Sequence, residues 1–231
     1  MFITPKNRYH AFVIHILISA LIFMILATVI TYFWYPGFLF ATDGGWDGIR
    51  LIAGIDFIIG PTLTLIIYKV GKRHLKLDLF VIGLIQFSCL YFGVWTVYQE
   101  RPIAVIYANG VFLAKSQAAL EMYNIKPAQI YELDTKVPAW IYINLPENED
   151  EKSKVLISQL HKGPLYTHTE LYAPYKENLD KVFNGAIDPD KLGAEIEPVN
   201  EDNRKLYPYS ARYGTGYIEI DGTTGEFLKI H

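Results

Sequence analysis

The sequence predicts a three-helix transmembrane bundle joined to a small extracytoplasmic α+β domain. Three observations predict it. Apolar runs cover roughly Ala11–Tyr35, Ile49–Val70 and Leu77–Tyr98, each near or above the ~20 residues that a helix needs to cross a bilayer. Positive charge alternates between the links that join them. Beyond Tyr98 the composition becomes that of an ordinary folded domain.

Lipid offers no hydrogen bonds, so a spanning segment must satisfy its backbone internally, as a helix does. Lys6 and Arg8 precede the first run, and Lys69, Lys72, Arg73 and Lys76 fill the link between the second and third. The link Pro36 to Gly48 has no Lys or Arg and carries Asp43 and Asp47. Basic short loops stay in the cytoplasm. The N-terminus is therefore expected inside, the first loop outside, the second inside, and everything after Tyr98 outside. Trp34, Tyr35, Trp46, Trp95 and Tyr98 fall near the outer ends of the runs, where rings with one wet edge are favoured. The first run exceeds the 7–15 apolar residues of a signal peptide and lacks a clean small-residue cleavage site, so it reads as an uncleaved anchor.

The chain has 231 residues and a formal net charge of −3. Residues 1–100 hold seven Lys/Arg against five Asp/Glu, whereas residues 101–231 hold fourteen against nineteen. An acidic second half argues against nucleic acid as a partner, because phosphate binding needs clustered cations. Cys89, in the third run, is the sole cysteine, so no intrachain disulfide forms and no Cys-based metal site exists. The domain boundary is expected at Gln99-Glu100-Arg101-Pro102, giving a transmembrane domain over residues 1–100 and a periplasmic domain over 101–231.

In the second half, Asn109-Gly110 between Ile103–Ala108 and Val111–Lys115 predicts a hairpin, since both central residues of a type I′ turn need positive φ. Helices are expected over Ser116–Tyr123, Glu149–Leu160 and Pro174–Phe183, and a strand over Ala139–Leu145. Gly222-Thr223-Thr224-Gly225 predicts a second hairpin, between Gly216–Asp221 and Glu226–Ile230. Strands at both ends with helices between suggest an α+β domain.

Asp56 is the most pointed candidate. It lies about 10 Å along the second helix from its outer end, where an unpaired charge costs several kcal/mol. Three readings stay open: a structural carboxylate bonded to Thr28 or Thr31, a contact with a partner helix, or proton chemistry, with His15 placed near the opposite end. Gly60-Pro61 removes one backbone hydrogen bond and predicts a kink, with Thr62 or Thr64 as hydroxyl donors to the freed carbonyl. Kink and acid together make a notch beside Phe57. Asp43-Gly44-Gly45-Trp46-Asp47 reads as a solvated outer turn, with paired acids as the catalytic or cation-binding alternative. His161, His168 and Glu170 match no standard zinc spacing, so neither a metal nor any other cofactor is expected. Tyr166, Tyr172, Tyr175, Tyr207, Tyr209, Tyr213 and Tyr217 read as surface tyrosines, of which Tyr207, Tyr209, Tyr213 and Tyr217 are candidates for partner contact; burial of the rings in a tyrosine-rich core is the alternative. No nucleotide, nucleophile-elbow or zincin motif occurs.

The stretch Ile55-Asp56-Phe57-Ile58-Ile59-Gly60-Pro61-Thr62-Leu63-Thr64-Leu65-Ile66, with its basic link Lys69–Lys76, resembles the type IV pilin accessory proteins of the TfpX/TfpZ group. Arg8-Tyr9-His10-Ala11-Phe12, the Asp43-Gly44-Gly45 turn and Tyr98-Gln99-Glu100-Arg101-Pro102 fit the same resemblance. It covers the membrane half well and the second half mainly in position and size. It implies a bacterial inner-membrane protein, not an enzyme, that binds a cognate type IV pilin through membrane helix and periplasmic head, in the manner of a chaperone. Asp56, Phe57, Gly60 and Pro61 are the membrane candidates for that contact. The alternatives are a membrane enzyme modifying pilin or lipid with Asp43 and Asp47 as its acids, and a ligand-sensing or transport subunit. The orientation has a direct check: a periplasm-only reporter fused after His231 should be active, and a cytoplasm-only reporter silent.

Overall fold

The computed structural model describes residues 5–187 and 203–231. It divides into two compact units, Met1–Phe40 with Gly44–Gln99, and Ala41–Asp43 with Glu100–His231.

The first unit contains three helices long and apolar enough to cross a membrane: α1 (Arg8–Trp34), α2 (Gly45–Ile67) and α3 (Leu75–Gln99). The side chain of Asn7 starts α1 by accepting from the His10 backbone N–H at 2.8 Å, as an N-cap does. The helices run up, down and up. At one end the Tyr68 hydroxyl donates to the Pro5 carbonyl at 2.9 Å. At the other, buried Tyr35 donates to the Val97 carbonyl at 3.0 Å. Large apolar side chains such as Leu17, Leu21, Met24, Phe80, Leu84 and Phe87 face outward. Three thin helices cannot hide so much apolar surface among themselves, and a face of this kind suits lipid. Contact between α2 and α3 relies on small residues. A Cβ on Gly48 would come within 2.8 Å of Val97, and one on Gly93 within 2.8 Å of Ile55. Membrane helices pack closely through such positions.

The break in α2 takes a specific form. A π turn, Ile55–Ile59, comes directly before Gly60-Pro61. Proline has no N–H to return to the preceding turn, and the wider i→i+5 winding is one way a helix absorbs that loss. A second π turn, Ile30–Trp34, closes α1.

The second unit is built on a seven-stranded sheet of order β4-β3-β1-β2-β5-β6-β7. Its strands are β1 (Pro102–Ala108), β2 (Val111–Ser116), β3 (Ala139–Ile143), β4 (Tyr172–Pro174), β5 (Arg204–Ser210), β6 (Thr215–Asp221) and β7 (Phe227–Ile230). Short helices α4 (Gln117–Glu121), α5 (Pro127–Tyr131) and α7 (Leu179–Phe183) and the longer α6 (Glu149–Lys162) connect them. Asn109 at φ 49° and Gly110 at φ 87° form the β1–β2 turn. β1 pairs in parallel with β3, and β2 in parallel with β5; the remaining pairs are antiparallel.

All of β1 is buried because both faces of the sheet are covered. Ala104, Ile106 and Ala108 join Ala139, Ile141 and Ile143 in an aliphatic core with Leu120, Ile130 and Leu165. On the alternate face Tyr107 stacks on Tyr142 at 5.9 Å and meets Phe112 and Tyr207 at 5.0 and 5.6 Å. The two-residue period of a strand sorts these sets.

Three elements depart from expectation. The predicted helix Pro174–Phe183 divides into the end of β4, a 3₁₀ turn over Tyr175–Asn178 and α7. The Asn178 side chain donates to the Pro174 carbonyl at 2.9 Å, a local bond that competes with helix. Strand β5 was not expected, and it contains Pro208, a residue that is rare inside sheets. Pro208 lies just outside the two-residue pairing of β5 with β2. Helix α5 is only five residues long, too short for periodicity to reveal.

Glu219 is buried in β6 and clamped by Arg204 Nη1 and by His231 Nε2, each at 2.9 Å. Burial raises its carboxyl pKa, but the bonds and charges of His231 and Arg204 outweigh burial and hold it below the usual 4.5. A depressed acid stabilises the fold fully above its unfolded pKa and loses that contribution as pH falls through the folded value. Amide protection factors in β6 and β7, taken against the intrinsic rate at each pH, should therefore fall as pH drops below the ordinary carboxylate range. In Glu219→Gln those strands should exchange faster already at neutral pH, and this added loss should be absent.

Candidate functional site

The first unit gathers five polar side chains from three apolar helices. His15 and Ser19 are one turn apart on α1, Asp56 and Thr64 lie two turns apart on α2, and Gln86 sits midway along α3. Gln86 is the bridge. Its Nε2 donates to Asp56 Oδ1 at 3.3 Å and to Ser19 Oγ at 3.5 Å. Its Oε1 lies 2.7 Å from His15 Nε2, and His15 Nδ1 lies 2.6 Å from Thr64 Oγ1. Each link fixes the next. A carboxylate at Asp56 needs the amide nitrogen facing it, which turns Oε1 toward His15. His15 must then carry a proton on Nε2, and its Nδ1 meets the Thr64 hydroxyl. Asp56 is fully buried, and its Oδ2 has no hydrogen-bond partner among the described residues.

The predicted membrane residues fall within or beside this cluster. Gly60 makes room for it: a Cβ there would stand 2.1 Å from Gln86 Oε1. Pro61 is buried one residue on. Gln86 therefore fills the gap at Gly60, where the sequence allowed either a partner helix or intrabundle packing. Phe57 meets Phe23 edge to face at 5.3 Å. Two expectations are corrected. Asp56 pairs with Gln86, while the Thr28 hydroxyl turns back to its own helix at the Met24 carbonyl, 2.8 Å away. The Thr64 hydroxyl, offered with Thr62 for the freed carbonyl of the kink, bonds His15. His15, Ser19, Thr64 and Gln86 were not recognised as one cluster. Their signal was spacing: polar residues four apart on α1 and eight apart on α2, facing the one amide in the interior of the third span.

In the second unit, Tyr207 and Tyr209 are buried, Tyr217 is half-buried and Tyr213 is exposed. Tyr207 donates to the Val182 carbonyl at 3.0 Å and belongs to the aromatic face of the core. Tyr175 is likewise buried, donating to the Gly225 carbonyl. Burial raises the hydroxyl of Tyr107 to about 12, with Tyr142 adding to the effect. These hydroxyls stay neutral and serve as donors. Arg212 stacks over exposed Tyr213 at 5.3 Å in the β5–β6 turn.

Asp43 departs from the solvated turn that its glycines predicted. It is buried, and its carboxylate accepts from the Thr42 hydroxyl at 2.7 Å, the Tyr209 hydroxyl at 3.1 Å and the Arg212 backbone N–H at 3.4 Å. Burial pushes its pKa up, while those three bonds and nearby Lys115 pull it down. Asp47 belongs to the other unit, stays exposed and pairs with Arg50 at 3.3 Å. The two acids are differently employed, Asp43 accepting bonds within the second unit and Asp47 pairing within the first. His168 is buried, with Nδ1 3.3 Å from Glu170, and His161 is exposed. Among the described residues no three His, Cys, Asp or Glu side chains gather as a metal site.

No known family model matches the chain, and no solved structure matches it. It is similar to the fimbrial assembly protein of Dichelobacter nodosus serogroups C1 and C2: 35% identical over 96 residues, which is 41% of this chain and 73% of that protein. The fimbrial assembly proteins of serogroups E1 and I from the same organism match at 35% over 96 residues, a stretch that spans 37% of each. The chain thus spans little more than a third of the length of those two relatives.

Substitutions separate the two clusters. Gly→Ala inside a helix ordinarily gains up to about 1 kcal/mol. Gly54→Ala, where a Cβ meets nothing within 4 Å, should keep or raise stability in detergent, and Gly60→Ala should lower it by displacing Gln86. Asp43→Ala should cost the second unit about 1–3 kcal/mol, since buried donors lose their acceptor. Asp47→Ala should cost less than about 1 kcal/mol, as for an exposed pair. Detergent thermal unfolding with amide exchange over β5 reads all four.

Proposed function

This chain belongs to the fimbrial assembly protein family, and on that premise we propose that it is a membrane-embedded accessory of type IV fimbrial assembly that holds its pilin subunit before polymerisation. Similarity to the serogroup C1 and C2 protein, over most of that protein's length, is the observation that carries the reading. The finer assignment, to the pilin-specific TfpX/TfpZ group, follows from the Asp56–Ile66 motif and the basic link after it. The role is one of binding, without catalysis.

The geometry supports a holder. Polar groups of α1, α2 and α3 are engaged with one another inside the bundle, so the outward faces stay apolar and suit a single apolar pilin helix. Ile58 and Ile59, exposed beside Phe57, present that surface where α2 bends. In this reading Asp56, Gly60 and Pro61 act indirectly, by setting the bend through Gln86. The sheet unit faces the periplasm from the inner membrane and meets the pilin head through exposed Tyr213 and half-buried Tyr217, with buried Tyr207 and Tyr209 holding strand β5 behind them. Two modest contacts on one protein reinforce each other through effective concentration.

Photo-crosslinkers at Ile58 and at Tyr213, in cells producing the cognate pilin, test the proposal. Both positions should yield pilin adducts, and Asp56→Leu should reduce the Ile58 adduct. Absence of pilin from both adduct pools, with pilin present in the membrane, would overturn the reading.

A further inference from the structure

One end of the membrane unit carries an unbalanced charge. Lys6, Arg8, Lys69, Arg73 and Lys76 are all exposed there, at the start of α1 and in the link between α2 and α3. Among the described residues none of the five has a carboxylate within 4.0 Å. The acid at that end, Asp78, is taken by Lys72 at 2.6 Å. From the same end a groove of about 310 Å³ runs inward between the helices. Ile14 and Ile18 of α1, Leu79, Ile82 and Gly83 of α3, and Tyr68 after α2 form its apolar walls, and His15, Thr64 and Gln86 lie at its floor. Those floor groups bond to one another, so they offer little to a polar guest. The groove thus presents apolar walls to lipid and cations at its mouth.

We propose that this groove is a binding site for one anionic phospholipid. An acyl chain lies along the walls, and the headgroup phosphate is held by the cations around Lys69 and Arg73. Both halves are needed. Cations alone would attract any anionic surface diffusely, and a greasy groove alone would accept any acyl chain. The groove opening beside unpaired cations selects the one molecule that carries both features. Each Lys or Arg near an anionic lipid surface contributes about fivefold in affinity. The site requires only that the three spans enter a bilayer and is independent of any contact with pilin.

The glycines provide the test. Gly83 lines the groove, and a Cβ there meets nothing within 4 Å, so Gly83→Leu enters the groove from a position with room for its first carbon. Gly54 is equally open but lies outside the groove, so Gly54→Leu adds the same bulk elsewhere. The full-length protein is placed in vesicles of equimolar phosphatidylglycerol and phosphatidylcholine, re-extracted in mild detergent, and its retained lipid measured by mass spectrometry. The wild type and Gly54→Leu should retain phosphatidylglycerol in preference to phosphatidylcholine. Gly83→Leu should lose the retained lipid. Lys69→Gln with Arg73→Gln, both at exposed positions, should cut the preference by about tenfold or more. Equal retention of the two lipids by the wild type, or unchanged retention by Gly83→Leu or by the double Gln variant, would overturn the proposal.

Discussion

Apolar surroundings supply no hydrogen bonds, and the unit with three helices long and apolar enough to cross a membrane is organised around that constraint. Five polar side chains on apolar helices must satisfy one another or forfeit several kcal/mol each. Gln86 makes the solution possible because an amide offers a donor and an acceptor at opposite corners. It bonds Asp56 with one and His15 with the other, and so joins all three helices at one point. Local features of α2 follow. Gly60 is small because the amide occupies its side-chain space, and the π turn Ile55–Ile59 accommodates the missing N–H of Pro61. Apart from Asp56 Oδ2, these polar groups meet one another inside the bundle and leave apolar outer faces.

The sheet unit meets a different constraint. Without a disulfide it must be stabilised by packing. Its aliphatic face does this in the ordinary way. Its aromatic face adds ring-to-ring contacts while directing the hydroxyls of Tyr175 and Tyr207 onto backbone carbonyls, so large rings are buried without stranding their polar ends. Asp43 and Tyr209 extend the same logic to the segment Ala41–Asp43, which the sheet unit claims from the link between α1 and α2.

Much of this was legible in the sequence, and the gaps have physical causes. The three apolar runs matched α1, α2 and α3 because a continuous apolar run of that length has one regular way to satisfy its backbone, as a helix. Asn109-Gly110 marked its hairpin because few other residues tolerate two positive φ angles in succession. Asp56 stood out as a charge in an apolar run. Its partner did not, since an uncharged amide such as Gln86 barely disturbs hydropathy and the meeting of three helices is a tertiary fact. Tyr207 and Tyr209 read as surface residues because a tyrosine-rich strand looks the same whether its rings face solvent or a second aromatic layer. Asp43 failed similarly: its glycines announce a turn, and its burial depends on Tyr209 of β5 and the Arg212 backbone beyond it, which lie far away in sequence.

A double-mutant cycle between Gln86 and Asp56 tests the polar bridge most directly. Gln86→Leu, Asp56→Leu and the pair would be compared in the full-length protein by SDS-driven unfolding from mild detergent. The bridge predicts non-additive losses with a coupling of about 0.6–2 kcal/mol, because either single substitution already breaks the shared bond. Additive losses would mean that the two residues stabilise the bundle separately, and the account of a single amide joining three helices would be wrong.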